Sequence, residues 1–277
     1  MYILDIFGRF LAPLPVRGKV RLAESLLRNV NAAEIISHPA KGVTIHLRPE
    51  MRIERWMWAG AYETKLVSVL KRFLEPGMTF LDIGANIGFF STLAAGLVGT
   101  TGRVYAFEPN PTCLSRLKLN LKPHPWATIY PVAACDQATT ADFYQNHRAD
   151  EQGWGSLLQS DELATPLKVL VVRLDDWYRE HSVGRIDFLK IDVEGAEFQV
   201  LTGAVDLLRT LRPVIVIELN ATCLARDHHN IKDVLRLLTD ADYDMFSLDS
   251  EDALGIPQEA ARIHSRLSRF LGKPIGF

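Results

Sequence analysis

Asp82, Glu108, Asp192, Glu194 and Glu218 each stand at or just past the end of a short apolar run, and two of those runs lead into glycine turns. The first turn reads Phe80-Leu81-Asp82-Ile83-Gly84-Ala85-Asn86-Ile87-Gly88-Phe89-Phe90. Glycine lets a chain turn sharply and approach a ligand closely, and the helix start behind it offers free N–H groups. With Gly84 as the first glycine of a G-x-G-x-x-G loop, Asn86 and Phe89 occupy the other two glycine positions, which argues against a dinucleotide. There is also no G-x-x-x-x-G-K-[ST] for a nucleoside triphosphate. The loop suits a nucleoside without a pyrophosphate, and S-adenosylmethionine is such a ligand. Asp82 would hold its ammonium group directly or through water; the plainer reading is a turn that Asp82 caps. Glu108, twenty residues after Gly88, would accept from both ribose hydroxyls, the alternative being an exposed charge at a strand end. Ala133-Ala134-Cys135-Asp136 leaves room for a flat adenine with Asp136 at its amino group, or Asp136 serves as a turn residue or helix cap.

Methyl transfer from a sulfonium is an in-line displacement. It needs the acceptor oxygen held about 3 Å behind the methyl with water excluded and, for an alcohol, a base. In Lys190-Ile191-Asp192-Val193-Glu194-Gly195-Ala196-Glu197, Asp192 ends a strand and faces either the methionine end or the acceptor, and Glu194 follows on a turn that Gly195 permits. Glu197 reads as an acid at a helix start, and Lys190, inside a strand, needs a carboxylate partner. Asp192, Glu218 and Asn220 offer three oxygens to Mg²⁺, which would lower the pKa of the acceptor hydroxyl; a hydrogen-bonded cluster without metal is the preferred reading. His228 and His229 in the 226–230 loop, and His147, are further candidates for the base, with His229 carried forward. Asn230 caps the helix that follows.

These residues must be positioned by a strand–helix alternation. Strands are expected at 79–83, 103–107, 128–134, 186–191, 214–219 and 243–248, with helices at 89–98, 111–121, 196–208 and 231–239. Apolar strands alternating with helices give a parallel sheet covered on both faces, with ligands at the carboxyl ends of its strands. Segments 141–145 and 167–174 alternate inside an interruption, 141–174, where glycines flank Trp154 in the manner of a lid. Residues 1–60 read as a cap of one helix and a hairpin, the latter from 43–47 and 51–56; residues 61–277 form the main α/β domain.

The 277 residues carry 31 Lys plus Arg against 33 Asp plus Glu, a formal charge of −2 that argues against a nucleic-acid footprint. Cys113, Cys135 and Cys223 are odd in number and contain no CxxC, which fits a reducing compartment. No apolar run reaches the ~20 residues of a membrane span, and the first residues lack the form of a secretory signal. Cytoplasm is therefore the expected location. At 257–270 an apolar face carries Arg262, Arg266 and Arg269 beside it. Packing on the protein itself or on a second subunit of a homo-oligomer is preferred there over a membrane surface.

Four blocks together resemble the FkbM family of S-adenosylmethionine-dependent methyltransferases: Gly60-Ala61-Tyr62-Glu63, Leu81 to Gly88, Phe107-Glu108-Pro109-Asn110-Pro111, and Ile186 to Glu197. The resemblance implies a class I methyltransferase fold, a Rossmann-like mostly parallel sheet. It implies O-methylation of a hydroxyl on a sugar, glycan or natural-product metabolite. Tyr62 and Glu63 close over the methionine end or pack between cap and core; by the same resemblance Ser156 lies near the cofactor, and Gly84, Asn86, Gly88, Glu108 and Asn110 surround it. N-methylation at the same site and a non-catalytic binding module remain as alternatives. The family fold ends in a hairpin that adds an antiparallel strand; no clear strand follows Leu248, so either the last strand is irregular or that edge is remodelled.

Overall fold

A computed structural model describes residues 8, 11–12, 18–28, 30, 34–145, 155–159 and 166–275. Near the N-terminus lie helix α1 (Lys19–Leu27), strands β1 (Ile35–Ser37) and β2 (Ile45–Leu47), and helices α2 (Arg52–Trp58) and α3 (Thr64–Phe73). The expected hairpin is corrected here. β2 pairs antiparallel with β1, and the segment after it is helical. Its apparent alternation came from Arg52 and Glu54 standing between Met51, Ile53 and Arg55-Trp56; in the helix Glu54 and Arg55 are buried while Ile53 and Trp56 are half-buried. Glu54 is ion-paired to Arg48 and Arg55 to Glu24, each at 2.8 Å, which keeps both charges in the interior.

From Thr79 onward the chain alternates: β3 (Thr79–Ile83), α4 (Phe89–Val98), β4 (Arg103–Phe107), α5 (Pro111–Leu121) and β5 (Ala127–Tyr130). Next come β6 (Ala133–Ala134), β7 (Thr139–Gln145), β8 (Gly155–Ser156), β9 (Pro166–Val172) and α6 (Leu174–Glu180). β10 (Phe188–Ile191), α7 (Glu197–Thr202), α8 (Val205–Leu211), β11 (Val214–Glu218), α9 (Ala221–Leu224) and α10 (Ile231–Thr239) follow. The last elements are β12 (Tyr243–Ser247), β13 (Asp252–Pro257) and α11 (Ala261–Leu267).

Seven strands form one sheet in the order β12-β13-β11-β10-β3-β4-β5, parallel except for β13, which runs against both neighbours. Phe80, Phe188, Val214 and Val216 point into one apolar layer. Leu81, Ile83, Leu189, Ile191, Ile215 and Ile217 point into the other. Both faces are therefore dry, which is why these strands read as unbroken apolar runs. Register aligns the strand ends: Ile83 pairs with Ile191 and with Phe107, and Ile191 with Ile217.

Three further expectations are revised. The third strand divides at Pro131, which has no N–H to donate, so that β5 stays in the large sheet and β6 joins a second one of order β6-β9-β7-β8. The helix at 196–208 breaks at Gly203, where a Cβ would stand 2.1 Å from the carbonyl O of Cys135. The closing antiparallel strand is present as β13. After its first residue every position is buried, so it shows no period of two, and Gly255 and Pro257 further mask it. Helix α11 packs inward, with Leu267 buried and Arg266 2.7 Å from Glu75. Among the described residues no helix is long and apolar enough to cross a membrane.

Candidate active site at the strand ends

Gly84 turns the chain directly after β3 with φ +82°. A Cβ there would lie 1.8 Å from the carbonyl O of Asp192, so only glycine lets the two loops meet. The N–H groups of Gly84 and Ala85 donate to the Phe107 carbonyl at 3.1 and 2.9 Å, and that of Asp192 donates to Ile83 at 3.0 Å. Asn86, also left-handed at φ 52°, donates its N–H to Glu108 Oε2 at 2.7 Å. Glu108 Oε1 accepts from the N–H of Asn110 at 2.8 Å. Burial still raises the Glu108 carboxyl to about 7 against the pull of those two donors. Each of its oxygens retains a lone pair for a ligand hydroxyl.

Lys190 and Asp82 face one another in register across β10 and β3. Lys190 Nζ lies 2.9 Å from Asp192 Oδ2, 3.6 Å from Asp82 Oδ1 and 5.5 Å above the Phe90 ring. Burial alone would lower its pKa, but Asp192 and Asp82 together hold it above the ordinary lysine range. Asp82 is fully buried, accepts from Ser91 Oγ at 2.6 Å, and burial pushes its pKa up.

Beyond Lys190 the acids crowd. Asp192, Glu194 and Glu218 each bring an oxygen within 4.8 Å of the others, and so do Glu63, Asp249 and Asp252. Either triad has the oxygen spacing to hold a cation. Burial first, then repulsion from Asp192 and Glu194, raises Glu218 to about 11. Burial and Glu63 raise Asp252 to about 9, and burial with Asp192 raises Glu194 to about 7. Glu218 Oε2 is buried with no hydrogen-bond partner. β13 delivers Asp252 to this end because its first residue pairs with Glu218. Glu63 is held left-handed at φ 40°, and the Tyr62 ring packs 5.4 and 5.8 Å from Phe89 and Phe90.

One cavity of about 640 Å³ joins both ends. Of the residues expected from the sequence, its wall includes Tyr62, Glu63, Gly84, Asn86, Glu108, Asp192 and Glu194. Other expected residues lie off that wall. Asp82 sits behind it, bound to Lys190 and Ser91, which leaves the water-mediated form of its expected contact with an ammonium group. A Cβ on Gly88 would meet Leu117 Cδ1 at 2.6 Å, so this glycine packs α4 on α5. Asn110 caps α5 through the N–H of Thr112 and accepts from Gln145 Nε2. Asp136 accepts from Cys135 Sγ at 3.2 Å, away from the cavity that Ala133 and Ala134 do line. Ser156 is buried, its Oγ accepting from the N–H of Leu158, while its neighbours Gly155 and Leu157 reach the wall. His229 stacks on Phe198 with centroids 3.6 Å apart and lies 3.5 Å from Asp227. His147 and Trp154 fall outside the described residues. Asn220 lines the cavity but spends its Oδ1 capping α9, so Glu194 replaces it in the oxygen triad. Asp249 and Asp252 were missed; the acid turn Asp249-Ser250-Glu251-Asp252 between two apolar runs was the available signal.

Residues 82–245 match the methyltransferase FkbM domain. The chain belongs to the FkbM methyltransferase family. It is 30% identical over 161 residues to the 2-O-methyltransferase NoeI of Sinorhizobium fredii, covering 53% of this chain and 65% of NoeI. It is 26% identical over 226 residues to the hexuronic acid methyltransferase AglP of Haloferax volcanii, covering 82% of this chain and 87% of AglP. A crystal structure of methyltransferase FkbM from Methylobacillus flagellatus aligns with 17% identity and a TM-score of 0.44, over 73% of this chain and 52% of that one. The chain thus spans less than two thirds of the length of NoeI and about half of that structure. Its strand order, with one antiparallel strand inserted beside the edge, is that of a class I methyltransferase, and FkbM membership implies S-adenosylmethionine as methyl donor. The wall fits that ligand: a glycine turn with a carboxylate for a ribose, small Ala133 and Ala134 for a flat base, and acids for an ammonium group.

Proposed function

We propose that the protein is an S-adenosylmethionine-dependent O-methyltransferase acting on a hydroxyl of a sugar, glycan or natural-product metabolite. One observation carries this reading: a single cavity has the Gly84 turn and Glu108 at one end and the Asp192–Glu194–Glu218 carboxylates at the other. S-adenosylmethionine, when bound, supplies an electrophilic methyl group. Glu108 accepts from the ribose hydroxyls with the lone pairs its backbone donors leave free. Lys190 keeps Asp192 aimed across the cavity. Asp192 or Glu194 takes the proton of the acceptor hydroxyl; either is a better placed base than His229, which the wall does not include. Tyr62, Phe89 and Phe90 exclude water from the methionine end. Phe143, Gly155 and Leu157 on the wall support the reading of 141–174 as a cover, and residues 1–60 serve as the cap. Mg²⁺ is not required by this scheme. The free cysteines fit a reducing compartment such as the cytoplasm.

A second reading is favoured by the charge of the wall. An ammonium-bearing acceptor placed among Glu63, Asp192, Glu194, Glu218, Asp249 and Asp252 would be held by them, because its charge would draw off the protons that Glu218 and Asp252 keep without ligand, whereas a uronate would add to the crowding. The test is calorimetric titration with S-adenosylmethionine and S-adenosylhomocysteine, followed by release of the latter against matched hydroxyl, amine and uronate acceptors. Turnover on hydroxyls supports the first reading, and turnover on amines alone supports the second. No binding of either compound by the folded protein overturns both.

A further inference from the structure

Glu197 stands at the first position of α7, where an acid is ordinarily a helix-dipole partner. Its surroundings differ from that role. The residue is 1% exposed, and its Oε1 accepts from two N–H groups of the preceding turn, those of Val193 and Gly195, each at 3.1 Å. That turn needs holding. Glu194 is left-handed at φ 58° and Gly195 follows at φ 116°. A Cβ on Gly195 would stand 2.6 Å from the Cys223 carbonyl O, so the turn is also wedged against α9. On its other side the Asp192 carbonyl O fills the space where a Gly84 side chain would be. Any shift of residues 192–195 must therefore move the Gly84 turn as well.

We infer that Glu197 is a positioning residue: its Oε1 braces the 192–195 turn, sets the direction of Asp192 and Glu194, and through the Gly84 contact fixes the shape of the cofactor end. This rests on the methyltransferase reading. Glu197 acts as a hydrogen-bond acceptor, with its charge secondary. Its Oε2 is buried without a partner, so a glutamine can keep Oε1 in place while its amide nitrogen replaces an atom that makes no hydrogen bond. Aspartate, one methylene shorter, cannot reach both donors.

The experiment compares wild type with Glu197→Ala, Glu197→Gln and Glu197→Asp in the full chain. Three quantities are measured: S-adenosylhomocysteine affinity by calorimetry, thermal unfolding, and hydrogen exchange at the Val193 and Gly195 amides. Glu197→Ala should bind about tenfold or more weakly, the scale of losing one strong acceptor, with exchange accelerated at those two amides. Glu197→Gln should bind within about threefold of wild type and keep both amides protected. A folded Glu197→Ala that binds like wild type overturns the inference, as does a Glu197→Gln as weak as Glu197→Ala. If Glu197→Ala does not fold, the Asp and Gln variants decide. Asp weaker than Gln supports the brace and equal affinities overturn it. A wild type that fails to bind overturns the methyltransferase reading and this inference with it; normal wild-type binding with unaffected variants overturns this inference alone.

Discussion

The two ends of the cavity hold their carboxylates in opposite ways. At the glycine turn, both Glu108 oxygens already accept backbone N–H groups, from Asn86 and Asn110. At the other end, acids just before α3, just past β10, in β11 and around the start of β13 face mainly one another, and Glu218 Oε2 has no donor among the described residues. Lys190 stands between them and spends its charge on Asp82 and Asp192. The other cation on the wall among the described residues, Lys65, donates to the Leu248 carbonyl. The first end is pre-set by the backbone, so its shape is cheap to keep. The second stores electrostatic cost, which appears as carboxyl groups that hold their protons far above the usual range.

The largest effect should come from filling the contact that joins the ends. Gly84→Ala places a Cβ 1.8 Å from the Asp192 carbonyl O at a left-handed position. It should cost more than ~3 kcal/mol of stability or prevent folding. Gly42, equally left-handed with nothing within 4 Å, is the control; Gly42→Ala should cost about 1 kcal/mol. Denaturant unfolding of both variants measures the difference. Equal costs would show that the two loops are not locked together.

Next is Glu108→Ala, which strips the ordered end of its acceptor. The variant should fold with a loss of ~1–3 kcal/mol from two unpaired N–H groups. It should bind S-adenosylhomocysteine about tenfold to a hundredfold more weakly. Unchanged affinity in the folded variant would remove ribose recognition from Glu108.

The crowded end predicts a pH effect of definite sign. Glu218 rises from an ordinary 4.5 to about 11 on folding, with Asp192, Glu194, Glu197 and Asp252 as its charged neighbours. The native state therefore binds the extra proton between those values, and stability must fall as pH rises through that window. Thermal unfolding without ligand should show a lower Tm at pH 9 than at pH 6. Glu218→Gln should recover at least ~1 kcal/mol at pH 9, because a tenfold change in proton affinity is worth ~1.4 kcal/mol, and nothing near pH 4. A variant less stable than wild type at pH 9 would mean that Glu218 has a stabilising partner there.

The same contrast explains what could be read in advance. The ordered end is built from neighbours in sequence: Gly84, Asn86 and the Glu108–Asn110 pair announce a turn, a cap and a strand end by type and spacing. The central strands β3, β10 and β11 were legible because a sheet covered on both faces demands nearly unbroken apolar runs, and the outer ones by their place in the strand–helix alternation. The crowded end depends on convergence. Glu63, Glu194, Glu218 and Asp252 are far apart in the chain, and Asp252 arrives only because β13 pairs beside β11. That strand has no polar face, so pattern could not reveal it. Asp82 shows how place in a motif and place in the sheet can point different ways. Its place in the glycine motif drew it toward the ligand, while its register opposite Lys190 makes it a counter-charge behind the wall.

The smallest expected effect concerns His229, the residue type most readily taken for a base near neutral pH. Its ring lies flat on Phe198 and its nitrogens face Asp227 and Asp233 at 3.5 and 3.9 Å. An imidazole held this way contributes packing, worth ~0.5–1.5 kcal/mol for a stacked pair. His229→Ala should therefore lower stability by about that amount and leave S-adenosylhomocysteine affinity within about twofold, as for sites without shared partners. His229→Phe keeps the stacked ring and should restore most of the stability. Once an acceptor is in hand, methyl transfer by His229→Phe provides the sharper measurement. Turnover near wild type leaves proton removal with Asp192 or Glu194. A loss of turnover at unchanged stability would bring the 226–230 loop back to the cavity during the reaction and move the base from the crowded carboxylates to the imidazole.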